Sequence, residues 1–204
     1  MAPDFLFLRR QGSSPEDAQD LTQGFFAHLI ESRACARADR EKGRFRSFLL
    51  GTLKHFVAHA RAHDSTQRRG GGAALLHLDE TTLALIEQKA VRSSTSDPEH
   101  AYDREWAAAL LHQVVLRLEE EAQLAGKAAI FRELGAYLAV GTDSMVPYDE
   151  LATRLSRPAG TLRSDVARLR ARYRAILREE VRGTVTTADE VDEELQYLRR
   201  VIAG

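Results

Sequence analysis

VPYDELATRL-SRPAG-TLRSDVARLRARYRAILREE, running from Val146 to Glu180, decides how this chain is read. Leu151 and Leu155 form an i,i+4 apolar pair flanked by Asp149, Glu150 and Arg154, the pattern of a short amphipathic helix. SRPAG interrupts it, because Pro158 has no amide hydrogen and Gly160 costs backbone entropy inside a helix. Helical spacing then resumes with Leu162, Val166, Leu169, Tyr173 and Ile176, while Arg163, Arg168, Arg170, Arg172, Arg174 and Arg178 cover much of the remaining cylinder. Two helices joined by a tight turn, the second one basic, is the arrangement that places a recognition helix in the major groove of duplex DNA. An amphipathic hairpin with a solvated arginine face is the alternative that periodicity alone leaves open.

Charge along the chain bears on that choice. The 204 residues carry a formal net charge of −1, with 44% hydrophobic content, enough to bury a core in one or two domains. The neutrality is a cancellation. Ten basic residues face three acidic ones from Arg33 to Arg69, and nine face three from Arg154 to Arg182. Asp79 to Glu121 and the tail after Gly183 are acidic. Two basic blocks in a neutral total imply two separate polyanion-facing surfaces. Cys35 is the single cysteine, so neither a disulfide framework nor a cysteine-based zinc site is expected. No apolar run reaches the length of a membrane span and no signal-peptide core is present, which implies a soluble, cytoplasmic protein.

Strand signals are nearly absent. Helical patterns cover Pro15 to Ser32, Arg44 to His63, Asp103 to Glu121, Gly126 to Val140, the pair already described, and Ala188 to Ile202. Ser14 ahead of Pro15-Glu16-Asp17 is a strong helix start, with a capping hydroxyl and carboxylates at the positive end of the dipole. Thr187, followed three residues later by Glu190, is a capping box opening an acidic amphipathic helix. Gly70, Gly71 and Gly72 are not a phosphate-binding loop, since no Gly-Lys-Ser/Thr follows, and read as a hinge.

In the first half, DAQDLTQGFFAHLIE (Asp17 to Glu31) carries a core stripe of Leu21, Phe25, Phe26, Leu29 and Ile30, with Asp17, Asp20 and Gln23 facing out. GRFRSFLLGTLKHFVAHARAHDSTQRR (Gly43 to Arg69) combines Arg44, Arg46, Lys54, Arg61, Arg68 and Arg69, able to follow a phosphate backbone, with Phe45, Phe48 and Phe56. Those phenylalanines would stack on unpaired bases if exposed, but with Leu49, Leu53 and Val57 they also make a helical core stripe. His55, His59 and His63 share a face at metal-ligand spacing; no carboxylate or cysteine completes a site, and a polar, DNA-side face is the preferred reading. Trp106 with Leu110, Leu111, Val114 and Leu118 reads as core of the second half, and no catalytic cluster can be assembled.

LSRPAGTLRSDVARLRARYR closely resembles the helix-turn-helix of bacterial extracytoplasmic-function (ECF) sigma factors, on whose pattern Pro158, Gly160, Thr161, Arg163, Ser164, Arg168 and Arg170 fall. Ser156 stands where that family usually has glycine, and Asp165 where it often has arginine. Asp17, Ala18, Asp20, Leu21, Thr22, Gln23 and Phe26 resemble the family's helix that docks on the clamp helices of RNA polymerase, with Gly24 in place of the usual glutamate. Relative to that family the N-terminus is short, MAPDFLFLRRQG supplying only the last turns of a preceding helix.

The resemblance implies an all-α protein of two small helical modules joined by a flexible linker. Residues 1–69 would hold core RNA polymerase and the −10 promoter element, 70–101 the linker, 102–182 the −35 module, and 183–204 an acidic helical tail. Polymerase binding falls to Asp17, Asp20, Leu21, Gln23 and Phe26. DNA binding falls to Arg44, Arg46, Lys54, His55, His59, Arg61, Arg68 and Arg69 in the first module. In the second it falls to Arg157, Thr161, Arg163, Ser164, Arg168 and Arg170. Core RNA polymerase, promoter DNA and an anti-sigma or other regulatory protein are the implied partners. No reaction, metal or cofactor is implied. Two alternatives remain: a stand-alone helix-turn-helix regulator, and a sigma-like interaction module without productive promoter binding.

Overall fold

The computed structural model describes residues 3–37, 44–67, 97–138 and 146–203. The protein is all-α, and no strand occurs among the described residues. In chain order the helices are α1 (Pro3–Arg10), α2 (Pro15–Glu31), α3 (Ala34–Arg37), α4 (Phe45–Gln67), α5 (Asp97–Leu124), α6 (Ala128–Leu134), α7 (Tyr148–Leu155), α8 (Ala159–Arg182) and α9 (Ala188–Ala203), with a 3-10 turn at Gly135–Leu138. None of them is long and apolar enough to cross a membrane. Arg68, Arg69, the glycine triplet and most of the expected linker lie outside the described residues.

The described residues fall into two compact units, one drawn from Met1–Ala109 with Val181–Gly204, the other from Leu110–Glu180. This division differs from the expected one in two ways, both with a physical cause. The second module does not start at residue 102, because the first half of α5 belongs to the first unit. Tyr102 is fully buried there, edge-on to Phe7 with centroids 5.9 Å apart, and Trp106 packs on the same core beside Phe45. Trp106 is therefore not core of the second module, whereas Val114 and Leu118 are. Nor is the acidic tail a separate piece. Its helix α9 joins the first unit through Glu194 and Tyr197, which meet Arg46 of α4, and the Phe45 amide donates to the Thr184 carbonyl at 3.1 Å.

The first unit's core is a continuous apolar cluster of Phe7, Leu8, Ala18, Phe25, Leu29, Phe48, Leu49, Leu53 and Val57 among others. The stripe on α4 thus buries its phenylalanines as core: Phe48 is 6% exposed, and Phe45 and Phe56 pack against the cluster. α2 begins as its sequence indicates, with the Ser14 hydroxyl accepting from the Asp17 amide at 3.0 Å. α9 begins on its capping box, the Glu190 amide donating to Thr187 Oγ1 at 3.4 Å and the Thr187 amide to Glu190 Oε2 at 3.2 Å.

The second unit is built from the remainder of α5, then α6, the 3-10 turn, α7 and most of α8. One cluster joins Leu134, Tyr137, Leu151, Leu162 and Val166; another joins Val114, Leu118, Phe131 and Ile176. Leu151 and Leu162 are fully buried, each contributing on the order of 2 kcal/mol of burial. They clamp α7 to the start of α8.

Candidate nucleic-acid interface

The corner between α7 and α8 is set by one residue in an unfavourable conformation. Ser156 is left-handed (φ 51°, ψ 44°), its amide donating to the Thr153 carbonyl at 3.3 Å and the Arg157 amide to the Ala152 carbonyl at 3.0 Å. This is a Schellman cap, which ordinarily takes glycine. The same cap closes α5 with Gly126 (φ 67°), where the Gly126 and Lys127 amides return to Gln123 and Ala122. A cap of this kind favours glycine, and Ser156 adopts the left-handed backbone at a conformational cost. Past the corner, the Pro158 carbonyl accepts from the Thr161 and Leu162 amides and starts α8.

With Leu162, Val166 and Ile176 turned inward, α8 presents Gly160, Thr161, Arg163, Ser164, Ala167, Arg168, Ala171, Arg174, Ala175 and Arg178 to solvent. Small side chains run down the middle of this face and arginines flank it. That combination lets a helix backbone approach a groove while cations meet the phosphate walls. Arg163 also lies over the Tyr148 ring at 5.4 Å, which ties it to the first turn of α7. Arg157 and Arg168 both bond to Asp165, at 3.0 and 2.5 Å.

Two arginines of α8 are tied to other elements of the same unit. Arg170, expected among the DNA contacts, donates from Nε to the Tyr137 carbonyl at 2.9 Å and is only partly exposed. That bond turns its guanidinium back toward the 3-10 turn. Arg172 grips Glu121 in a bidentate pair at 2.9 and 2.6 Å, and those hydrogen bonds hold the Glu121 carboxyl below the ordinary range. Arg174 and Arg178, by contrast, lie on the exposed face and were not singled out as contacts. The spacing Ser164, Ala167, Ala171, Arg174, Arg178 was the signal that could have found them.

In the first unit the basic residues of α4 part company. Arg46 is 7% exposed and donates from Nε to Glu194 at 3.0 Å and from Nη1 to Asp103, with the Tyr197 ring 4.4 Å from its guanidinium. Burial alone would weaken its hold on the proton, but Glu194 and Asp103 outweigh burial and the pKa is raised. Arg46 is thus a core ion, not a phosphate contact. Arg44 lies 2.9 Å from Glu194 and 3.7 Å from Glu193, and Lys54 pairs with Glu99. His59 and Arg61 are exposed; the rings of His55 and His59 are 4.4 Å apart, and Arg61 Nη2 reaches Ser13 Oγ at 3.5 Å. No group of three or more His, Cys, Asp or Glu is placed to hold a metal among the described residues.

On α2, Asp17, Asp20 and Gln23 face solvent as expected, and so do Phe26 and Ile30 (76% exposed), which the apolar stripe had assigned to the core; only Leu21, Phe25 and Leu29 of that stripe turn inward. Gly24 lies on the packed side: a Cβ there would come within 3.3 Å of the Phe56 ring, so its lack of a side chain serves the contact with α4. No protein-family model matches the chain, and searches of curated proteins and of solved structures find no match either.

Proposed function

We propose that the protein is a sigma-like transcription initiation factor that holds core RNA polymerase through the outward face of α2 and enters the major groove of an upstream promoter element with α8. The observation that carries this reading is the exposed face of α8, small residues flanked by Arg163, Arg168 and Arg174 behind a capped corner. The mixed acidic and apolar face of Asp17, Asp20, Gln23, Phe26 and Ile30 supports the polymerase contact, since apolar side chains rimmed by polar ones mark a docking surface. Phosphate contacts dominate such binding, so affinity falls steeply with salt. A cytoplasmic location and a regulatory protein partner follow from the role.

One observation favours a second reading. Arg44, Arg46 and Lys54 are all engaged by carboxylates, which leaves α4 with fewer cations for a melted strand than its sequence offers. A stand-alone helix-turn-helix regulator, whose first unit binds another protein, has no need of them. Copurification of the full chain with core RNA polymerase separates the two. Co-elution that Phe26→Asp abolishes is the outcome expected of the initiation factor. Duplex binding without co-elution belongs to the regulator.

A further inference from the structure

Asp165 is the only carboxylate of α8 before Glu179, and it sits at the basic end of the exposed face. Its two oxygens are divided between two arginines of different origin. Oδ2 accepts from Nη1 of Arg157, which comes from the corner, and Oδ1 from Nη2 of Arg168, three residues further along the helix. The carboxylate is 18% exposed, while Arg157 and Arg168 are 41% and 75% exposed. Exposed ion pairs add little to folding stability, so stability does not account for the arrangement.

Two consequences follow for a ligand. Each guanidinium has five N–H donors and gives one to Asp165, so one carboxylate bond uses a minority of its donors. An arginine already held by a carboxylate has surrendered rotamer freedom that an unrestrained one loses on binding, so it is preorganised for bidentate contact. The carboxylate also reduces the charge of the trio to that of a single cation. That weakens attraction to phosphates, which is independent of sequence, and leaves intact the pairing of arginine with guanine O6 and N7, which is not.

We infer that Asp165 is a positioning residue that exchanges phosphate grip for base discrimination, fixing Arg157 and Arg168 as a fork that selects guanine in the major groove. The inference rests on α8 being the groove-reading helix.

The test uses the full chain with two probes: one mixed-sequence duplex titrated by fluorescence anisotropy across a salt series, and a randomised duplex pool from which bound molecules are sequenced. Asp165→Asn and Asp165→Ala should bind the mixed duplex about three- to tenfold more tightly at low salt, with a salt slope steeper by about 0.9 for one further neutralised phosphate. In the pool, guanine enrichment by the wild-type chain at the positions under the fork should fall about fivefold or more in both variants. Asp165→Glu, which keeps both acceptor oxygens, should restore it. Unchanged slope and unchanged enrichment in variants that melt like the wild type would overturn the inference and leave groove reading by α8 standing. A wild-type chain that binds neither probe overturns both. Arg163→Glu, which leaves the fork in place, should abolish binding to either probe if α8 reads the duplex.

Discussion

Replacing Arg46 with alanine should cost the first unit about 3–5 kcal/mol, because it leaves Asp103 buried with no cation and Glu194 with Arg44 alone. Glu194 is 2% exposed and Asp103 7%, so neither can recover its hydration without opening the contact between α4, α5 and α9. The Tyr197 phenol donates to the second oxygen of Asp103 and moderates the loss at that site, but no hydroxyl replaces the positive charge. Single domains are stable by about 5–15 kcal/mol in total, so the variant should sit close to unfolding. Urea denaturation of the full chain is the assay, followed by fluorescence of Trp106, the only tryptophan, which lies in the core of this unit. A combined Arg46→Met, Asp103→Asn, Glu194→Leu substitution removes the cation together with both of its buried carboxylates and should recover most of the midpoint, since buried ion pairs often give way to uncharged residues at little cost. A loss below about 1 kcal/mol for Arg46→Ala, with unchanged denaturant dependence, would refute the description of Arg46 as a core ion.

Other substitutions probe separate parts of the account. Ser156→Gly should stabilise the second unit by about 0.5–1 kcal/mol by relieving the left-handed backbone at the corner, read as a raised melting temperature. Asp4 is 2% exposed, and burial raises its pKa above 3.8, so the folded state gains protons there and loses stability as pH rises through the window above that value. Asp4→Asn should therefore stabilise the chain at neutral pH, with an advantage that shrinks on acidification and is gone near pH 3.8 in paired thermal melts. Ile30→Glu lies at an exposed position and should change the unfolding free energy by no more than about 0.5 kcal/mol, and Phe26→Asp, whose ring touches Phe25, by about 1 kcal/mol, while both disrupt polymerase copurification.

What the sequence discloses about this protein divides along a physical line. Local features were legible: the Ser14 cap, the Thr187–Glu190 box and the break at Pro158 each depend on residues within a few positions of one another. So did the apolar stripe on α4, whose periodicity placed Phe48, Leu53 and Val57 inside. The basic cluster was not legible, because counting charge along α4 cannot reveal that Arg46 meets Asp103 across 57 positions and Glu194 across 148. The same distant pairing draws the acidic tail into the first unit. Trp106 misled for a related reason: α5 contributes to both units, so one apolar run along it serves two cores. On α8, periodicity separated buried from exposed residues, but which arginine bonds inward depends on the carbonyl of Tyr137 and the carboxylate of Glu121.

In vitro transcription with purified core RNA polymerase on a pooled promoter library, with and without this protein, tests the central claim most directly. The account predicts start sites that depend on the added protein and vanish with Arg163→Glu. Start sites that never emerge, from a chain that still binds duplex DNA, would contradict it.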